Sequence, residues 1–239
     1  MKNTLYIIKV IVQKEIIDTI HTFGFFLIAI ALGFNLCIYI TDTKIIALKL
    51  SPEQLPYQLG LSMMYLMAMA ILFLGTTLTS KLIYEEKRNK TMHMLLSMGI
   101  TKEVVWMAKM CAIIVMCTLF SITTVLSHIA FVFVKFSILM KFNWMSFVIV
   151  FIMVPIIGYG FIAITSVAYM YFSKMNFVGM FIQIVPYLAI WEVSSKLIAY
   201  TNVPLYILIL SVLIGIMLFA LSFMLVRGIS KERIVSRVD

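Results

Sequence analysis

Six apolar runs, each long enough to cross a bilayer, constrain this chain more than any other feature: approximately Phe23–Ile40, Leu59–Ser80, Val104–Val134, Trp144–Phe172, Phe177–Leu197 and Leu205–Val226. A spanning helix needs about 20 largely apolar residues, within a range of roughly 17–25. Runs like these cannot all be hidden in a water-soluble globule. Of the 239 residues, 63% are hydrophobic and 12% charged, against about 45–50% and 25% in soluble domains. Too little polar surface remains to clothe a core of that size. The expected fold class is therefore all-α: an integral membrane protein with six transmembrane helices. The third and fourth runs exceed what a bilayer requires, so tilting, kinking or projection must absorb the excess. Pro155 and Pro186 lie inside runs and predict kinks, with Gly158 and Gly160 adding local freedom.

Orientation follows from the basic residues. With both ends inside, the inner segments hold Lys2, Lys9, Lys14, Lys81, Lys87, Arg88, Lys90, Lys102, Lys109, Lys174, Arg227, Lys231, Arg233 and Arg237. The outer segments hold Lys44, Lys49, Lys135, Lys141 and Lys196. Fourteen against five is a positive-inside bias, placing both termini in the cytoplasm of a multi-pass cell-membrane protein. The net charge of +9 is thus read as topology, with no nucleic-acid partner expected. The first run begins after 22 residues and no small-residue cleavage site follows it, so it reads as a span and not a signal peptide. Cys37, Cys111 and Cys117 all sit in apolar runs and suggest neither disulfides nor a zinc site.

Residues 3–21 precede the first span. Between Leu5 and His21, one face carries Leu5, Ile8, Val12, Ile16 and Ile20, and the other Lys14, Glu15, Asp18 and His21. Such a two-faced segment predicts an N-terminal interfacial helix lying against membrane lipid. The outer loops are short; the longest, Thr41–Gln58, carries turn signals at Ser51-Pro52 and Leu55-Pro56.

The longest polar interruption separates the second and third runs. Residues 84–103 read as a charged turn, a short mixed helix around Thr91–Met98, a break at Gly99 and a new helix N-capped near Thr101. Leu95 and Leu96 would offer apolar anchors to a docked protein, and Glu85, Glu86, Lys87 and Arg88 a polar rim. Spacing alone leaves a solvated, positive-inside loop equally open.

This segment resembles the cytoplasmic loop of the type-2 ABC exporter permeases, whose common form runs Glu-Glu-Lys-x-x-Gly-Thr-x-Glu-x-Leu-Leu-x-x-Pro-Val-Ser-Arg with a lysine downstream. Glu85, Glu86, Lys87, Thr91, Leu95 and Leu96 match it directly. Ile100, Thr101 and Lys102 match conservatively, and Lys109 takes the downstream position. Lys90 replaces the glycine, His93 the glutamate and Gly99 the proline. Lys14-Glu15 resembles the Lys-Glu pair of that family's N-terminal helix. The resemblance implies one permease domain over residues 1–239, paired with a second permease copy (the same chain or a relative) and driven by separate ABC ATPase subunits. Lys14, Glu15, Glu85, Glu86, Lys87, Arg88, Thr91, Leu95, Leu96, Thr101 and Lys102 would then be the ATPase-coupling residues. ATP and Mg would be held by the partner, since no phosphate-binding Gly-x-x-x-x-Gly-Lys-Ser/Thr loop occurs here. No cofactor or catalytic residue is expected on this chain.

Ionisable groups inside the runs are few, and only His128 and Glu192 stand out. His128 reads as a satisfied histidine near the outer end of a helix. Glu192 and Lys196 lie four residues apart and pair on one helix face. They form either an ordinary interfacial pair or, by the same resemblance, an outer gate within a re-entrant segment at 190–204. Met63, Met64, Met67 and Met69 cluster in the second run without accompanying Cys or His, which favours flexible apolar packing over Cu(I) binding. Ala29 and Gly33 give a small-x-x-x-small spacing suited to helix contact. A secondary transporter or channel remains the alternative, and no Ser-His, Asp-Asp or His-Glu-x-x-His arrangement supports an intramembrane enzyme. The apolar pathway suits amphipathic or hydrophobic peptides or small molecules, and the family resemblance favours peptide export.

Overall fold

The computed structural model describes residues 2–47, 51, 53–142, 144–172, 205–230 and 234. Its helices are α1 (Lys2–Ala47), α2 (Leu55–Thr79), α3 (Glu86–Arg88), α4 (Thr91–Ser97), α5 (Lys102–Phe136), α6 (Trp144–Val148), α7 (Val154–Tyr171) and α8 (Leu205–Gly228). No strand occurs among the described residues. Five helical stretches there are long and apolar enough to cross a membrane: Leu27–Ala47, Leu55–Arg88, Lys102–Phe136, Ser146–Tyr171 and Leu208–Gly228. The expected fifth span, Phe177–Leu197, and the segment 190–204 lie outside the described residues, as does Pro186.

α2 forms the centre of the bundle. Its most apolar window is 88% buried, against 20% for that of α1 and 17% for that of α8. Leu59, Met63, Leu66, Ile71 and Leu74 are essentially inaccessible and pack against α1, α5 and α7. Met63, Met64 and Met67 belong to this core. α8 packs on α7, and the two backbones come very close: a Cβ on Gly160 would lie 2.7 Å from the Gly215 carbonyl oxygen, and one on Gly215 2.7 Å from that of Ile156. Gly33 makes no such contact, with nothing within 4 Å of where its Cβ would lie.

Two departures from the sequence expectation matter for the site. The amphipathic N-terminal segment is not a separate interfacial helix, because α1 runs unbroken for 46 residues. Nothing near Thr22 stops it; the Thr22 hydroxyl turns back onto the Asp18 carbonyl at 2.6 Å, inside the helix. At about 1.5 Å per residue α1 is about 69 Å long, more than twice a hydrocarbon core of about 30 Å. Its inward ridge is Ile11, Glu15 and Thr19, while Leu5 and Ile20 face outward. The same helix continues past Ile40 to Ala47 and carries Asp42 into the packed interior, where an outer loop was expected.

Pro155 does distort its span, through a change of register. Proline has no N–H to give, and the helix answers with a π-helical stretch, Ile149–Met153, in which the Val154 N–H reaches the Ile149 carbonyl. A second π-helical stretch, Ser80–Glu85, extends α2 to α3 and delivers the Glu85-Glu86-Lys87 sequence to one end of the bundle.

Candidate functional site

The loop between α2 and α5 is held to the bundle by three charged side chains, each tied to a different helix. Glu86 accepts a bond of 2.7 Å from the Lys109 ammonium on α5, which also donates to Glu15 on α1 at 3.0 Å. Lys109 is wholly buried and Glu15 is 4% exposed. Lys87, 2% exposed, donates to the carbonyls of Met170 at 2.8 Å and Phe172 at 3.3 Å, where α7 ends. Lys102 does the same for α8, donating to the Arg227 carbonyl at 2.7 Å and to that of Ile229. Helix C-termini leave carbonyls unsatisfied and carry partial negative charge, so an ammonium there is favoured twice over. Sequence reading placed Glu15 on the solvent face of its helix; it points inward because Lys109 does.

Between these anchors α4 lies as a short bar. Lys90, in the family's glycine position, adopts the left-handed conformation (φ 61°) that starts it. Gly99 ends it at φ 82°. Both conformations are ones glycine adopts freely and lysine does not. Thr101 occupies the N-cap position of α5 with extended backbone; its carbonyl accepts from Val104 and Val105, but its side chain makes no capping bond.

The bar's faces differ from expectation. Met92 and Leu96 are buried at 1% and 9%, and Leu95 is half-buried against the core. Met94 and Met98 face outward at 64% and 75%. The apolar groups free to meet a partner are thus the two methionines and not the leucines. Around them Glu85, Arg88, Lys90, Ser97 and Thr101 are exposed, and Thr91 and His93 are partly so. Lys14 is exposed on α1, one position before the buried Glu15.

Beside the bar, an open cleft of ≈ 440 Å³ separates α1 from the end of α2. Glu15, Asp18, Glu85 and Glu86 line it together with Lys81 and Thr19. Four of the chain's ten acidic residues therefore meet at one cleft, where the Lys109 ammonium binds two of them and Lys81 and His21 share the lining. Deeper in the bundle, the Trp106 indole on α5 donates to the Ser166 hydroxyl on α7 at 2.7 Å, and both are buried.

Sequence reading missed the joint role of Lys109 and Glu15. The available signal was a lysine inside an apolar run, which demands a buried partner of opposite charge. Glu192 and Lys196 lie outside the described residues.

Comparison with curated proteins and with solved structures finds no match to this chain. The family model described as ABC-2 family transporter protein matches residues 4–173, which include nearly all of α1, the anchored loop and α7. The chain therefore belongs to the ABC-2 transporter family and is a membrane subunit of an ABC transporter.

Proposed function

We propose that this chain forms the translocation pathway of an ATP-driven exporter and that α4 is the bar through which a separate ATPase moves it. The observation that carries this reading is the contrast between the two faces of α4: Met92 and Leu96 are buried in the core between the charged anchors that precede and follow the helix, while Met94 and Met98 face outward with Arg88 and Lys90 nearby. The α4 end of the bundle is cytoplasmic, the two termini are on that side, and six spans cross the cell membrane. ATP and Mg bind on the ATPase, and two permease copies complete the pathway.

ATP binding draws two ATPases together and displaces α4. Because Lys87 is bonded to the end of α7, Lys102 to the end of α8, and Glu86 through Lys109 to α1, the displacement reaches three spans at once. Glu192 and Lys196 gate the opposite side. An apolar groove of ≈ 310 Å³ between α5, α7 and α8, walled by Ile114, Ile156, Phe219 and the Tyr159 ring, suits amphipathic or hydrophobic cargo, peptides foremost.

Copurification in mild detergent tests the reading. The tagged chain should bring down a nucleotide-binding subunit at about one per permease, and Met94→Asp with Met98→Asp should abolish that recovery. Both methionines are exposed, so insertion and thermal stability should stay unchanged. Recovery of the chain alone, or an undiminished complex with the double variant, would overturn the assignment of α4 and favour a transporter without an ATPase.

A further inference from the structure

α1 and α5 are joined by a second buried polar contact, far from the loop. Glu15 and Asn35 are 20 residues apart on α1, and their respective partners Lys109 and His128 are 19 apart on α5. The helices therefore run parallel, with polar ties about 30 Å apart at 1.5 Å per residue, one hydrocarbon thickness. At the far tie, His128 and Asp42 are both wholly buried, with Nε2 and Oδ2 2.7 Å apart.

The hydrogen-bond geometry fixes how many protons this tie holds. Asn35 Nδ2 donates to the Ala31 carbonyl at 2.8 Å and to the Ser127 hydroxyl at 3.1 Å. A carbonyl can only accept, so the Asn35 amide oxygen is the atom that faces His128 Nδ1, at 2.8 Å. Nδ1 must then carry a hydrogen. The contact at Nε2 needs one more, either as imidazolium against carboxylate or as imidazole against carboxylic acid. These are two placements of one proton in a net-neutral pair. The other Asp42 oxygen accepts from the Ser62 hydroxyl of α2 at 3.2 Å, sharing that single hydrogen with the Leu59 carbonyl at 2.8 Å. The Phe131 ring packs 5.9 Å from the imidazole. Among the described residues, no further charged group of α1, α2 or α5 is bonded to the pair.

We propose that Asp42 and His128 form a proton-binding site at the α1–α5 seam, and that the bound proton holds the far half of α1 in place. When Nε2–H passes its proton to water, an imidazole lone pair is left facing a carboxylate, two buried acceptors with no hydrogen between them. That arrangement is unfavourable without water or separation, so the seam opens. The site lies near the helix ends: Asp42 is five residues from Ala47, and His128 eight from Phe136, distances of about 8–12 Å. Exchange is therefore with the side away from α4. This inference requires only that the chain spans the membrane, and stands apart from the ATPase reading.

The test uses the full chain alone in detergent or vesicles, with Cys37, Cys111 and Cys117 replaced by alanine and spin labels at Leu36→Cys on α1 and Val134→Cys on α5. Both labelled positions are exposed. Pulsed EPR distances are compared at a mildly acidic and a mildly alkaline pH. A longer-distance population should appear at the alkaline value and reverse on acidification. Asp42→Asn should remove this response and keep the short distance, because an asparagine amide donates to a neutral Nε2 without an exchangeable proton. His128→Gln, whose amide donates to the carboxylate, serves as an independent second variant if the first fails to fold. A distance independent of pH in the parent, or a response that survives in either variant, overturns the proposal.

Discussion

Replacing Lys109 by methionine removes the ammonium and keeps most of the side-chain volume. Glu15 and Glu86, bonded to that ammonium at 3.0 and 2.7 Å, are left facing one another. The site gives them little relief, since Lys109 is fully buried and the two carboxylate side chains are only 5% and 18% exposed. Breaking a buried ion pair by deleting one partner costs about 3–5 kcal/mol, roughly two to three and a half orders of magnitude in the folded-to-unfolded ratio. Replacing all three charges, as Glu15→Gln, Glu86→Gln and Lys109→Met, removes the stranded charge and should recover most of the loss. SDS-induced unfolding in mixed micelles, followed through the buried Trp106, measures both variants. Two outcomes refute the reasoning: a single variant within about 0.5 kcal/mol of the parent, or a triple variant no more stable than the single one.

Lys90→Gly should stabilise the loop by about 0.5–1 kcal/mol, because the left-handed conformation at φ 61° strains any residue with a Cβ; a thermal-shift assay showing no gain, or a loss, contradicts this. Gly215→Ala should destabilise by about 1–3 kcal/mol, since its Cβ would press on the Ile156 backbone at 2.7 Å. Gly24→Ala, with nothing within 4 Å, should instead be neutral or stabilising by up to about 1 kcal/mol in the same assay. Equal effects at the two glycines would sink the claim that α7 and α8 touch through their backbones.

The spans were legible because lipid-facing helices must be apolar over a known length, and that requirement is written directly into composition. The faces of α4 were not. Met92 and Leu96 form one stripe at i, i+4 spacing and Met94 and Met98 another, rotated by two residues, or about 200°. A helix of seven residues has too few turns for its pattern to say which stripe faces inward. Only packing against the bundle decides, and it selects Met92 and Leu96. Asp42 was hidden for a related reason. A carboxylate after an apolar run reads as the start of a loop, unless a histidine 86 positions later is known to sit beside it. Lys90 departs from the glycine of the motif that the loop resembles, and it takes the left-handed conformation that glycine adopts without strain.

Lys87, Lys102 and Lys109 are among the basic residues expected on the inner side, and all three are engaged by the protein itself. Two cap the carbonyl ends of α7 and α8, and the third binds Glu15 and Glu86. Helices α2, α7 and α8 all end at the α4 side, so their macrodipoles put partial negative charge there. In the proposed orientation, lysines on that side satisfy helix ends and the positive-inside rule together. A bare positive loop needs charge but no particular partners, and its lysines would be free to move among positions. Here the lysines are fixed by named atoms on four different helices, α1, α3, α7 and α8. Moving Lys87 one residue along the chain would preserve topology and release α7. That separation of orientation from anchoring is what the proposed coupling role requires, and a loop that served topology alone would lack it.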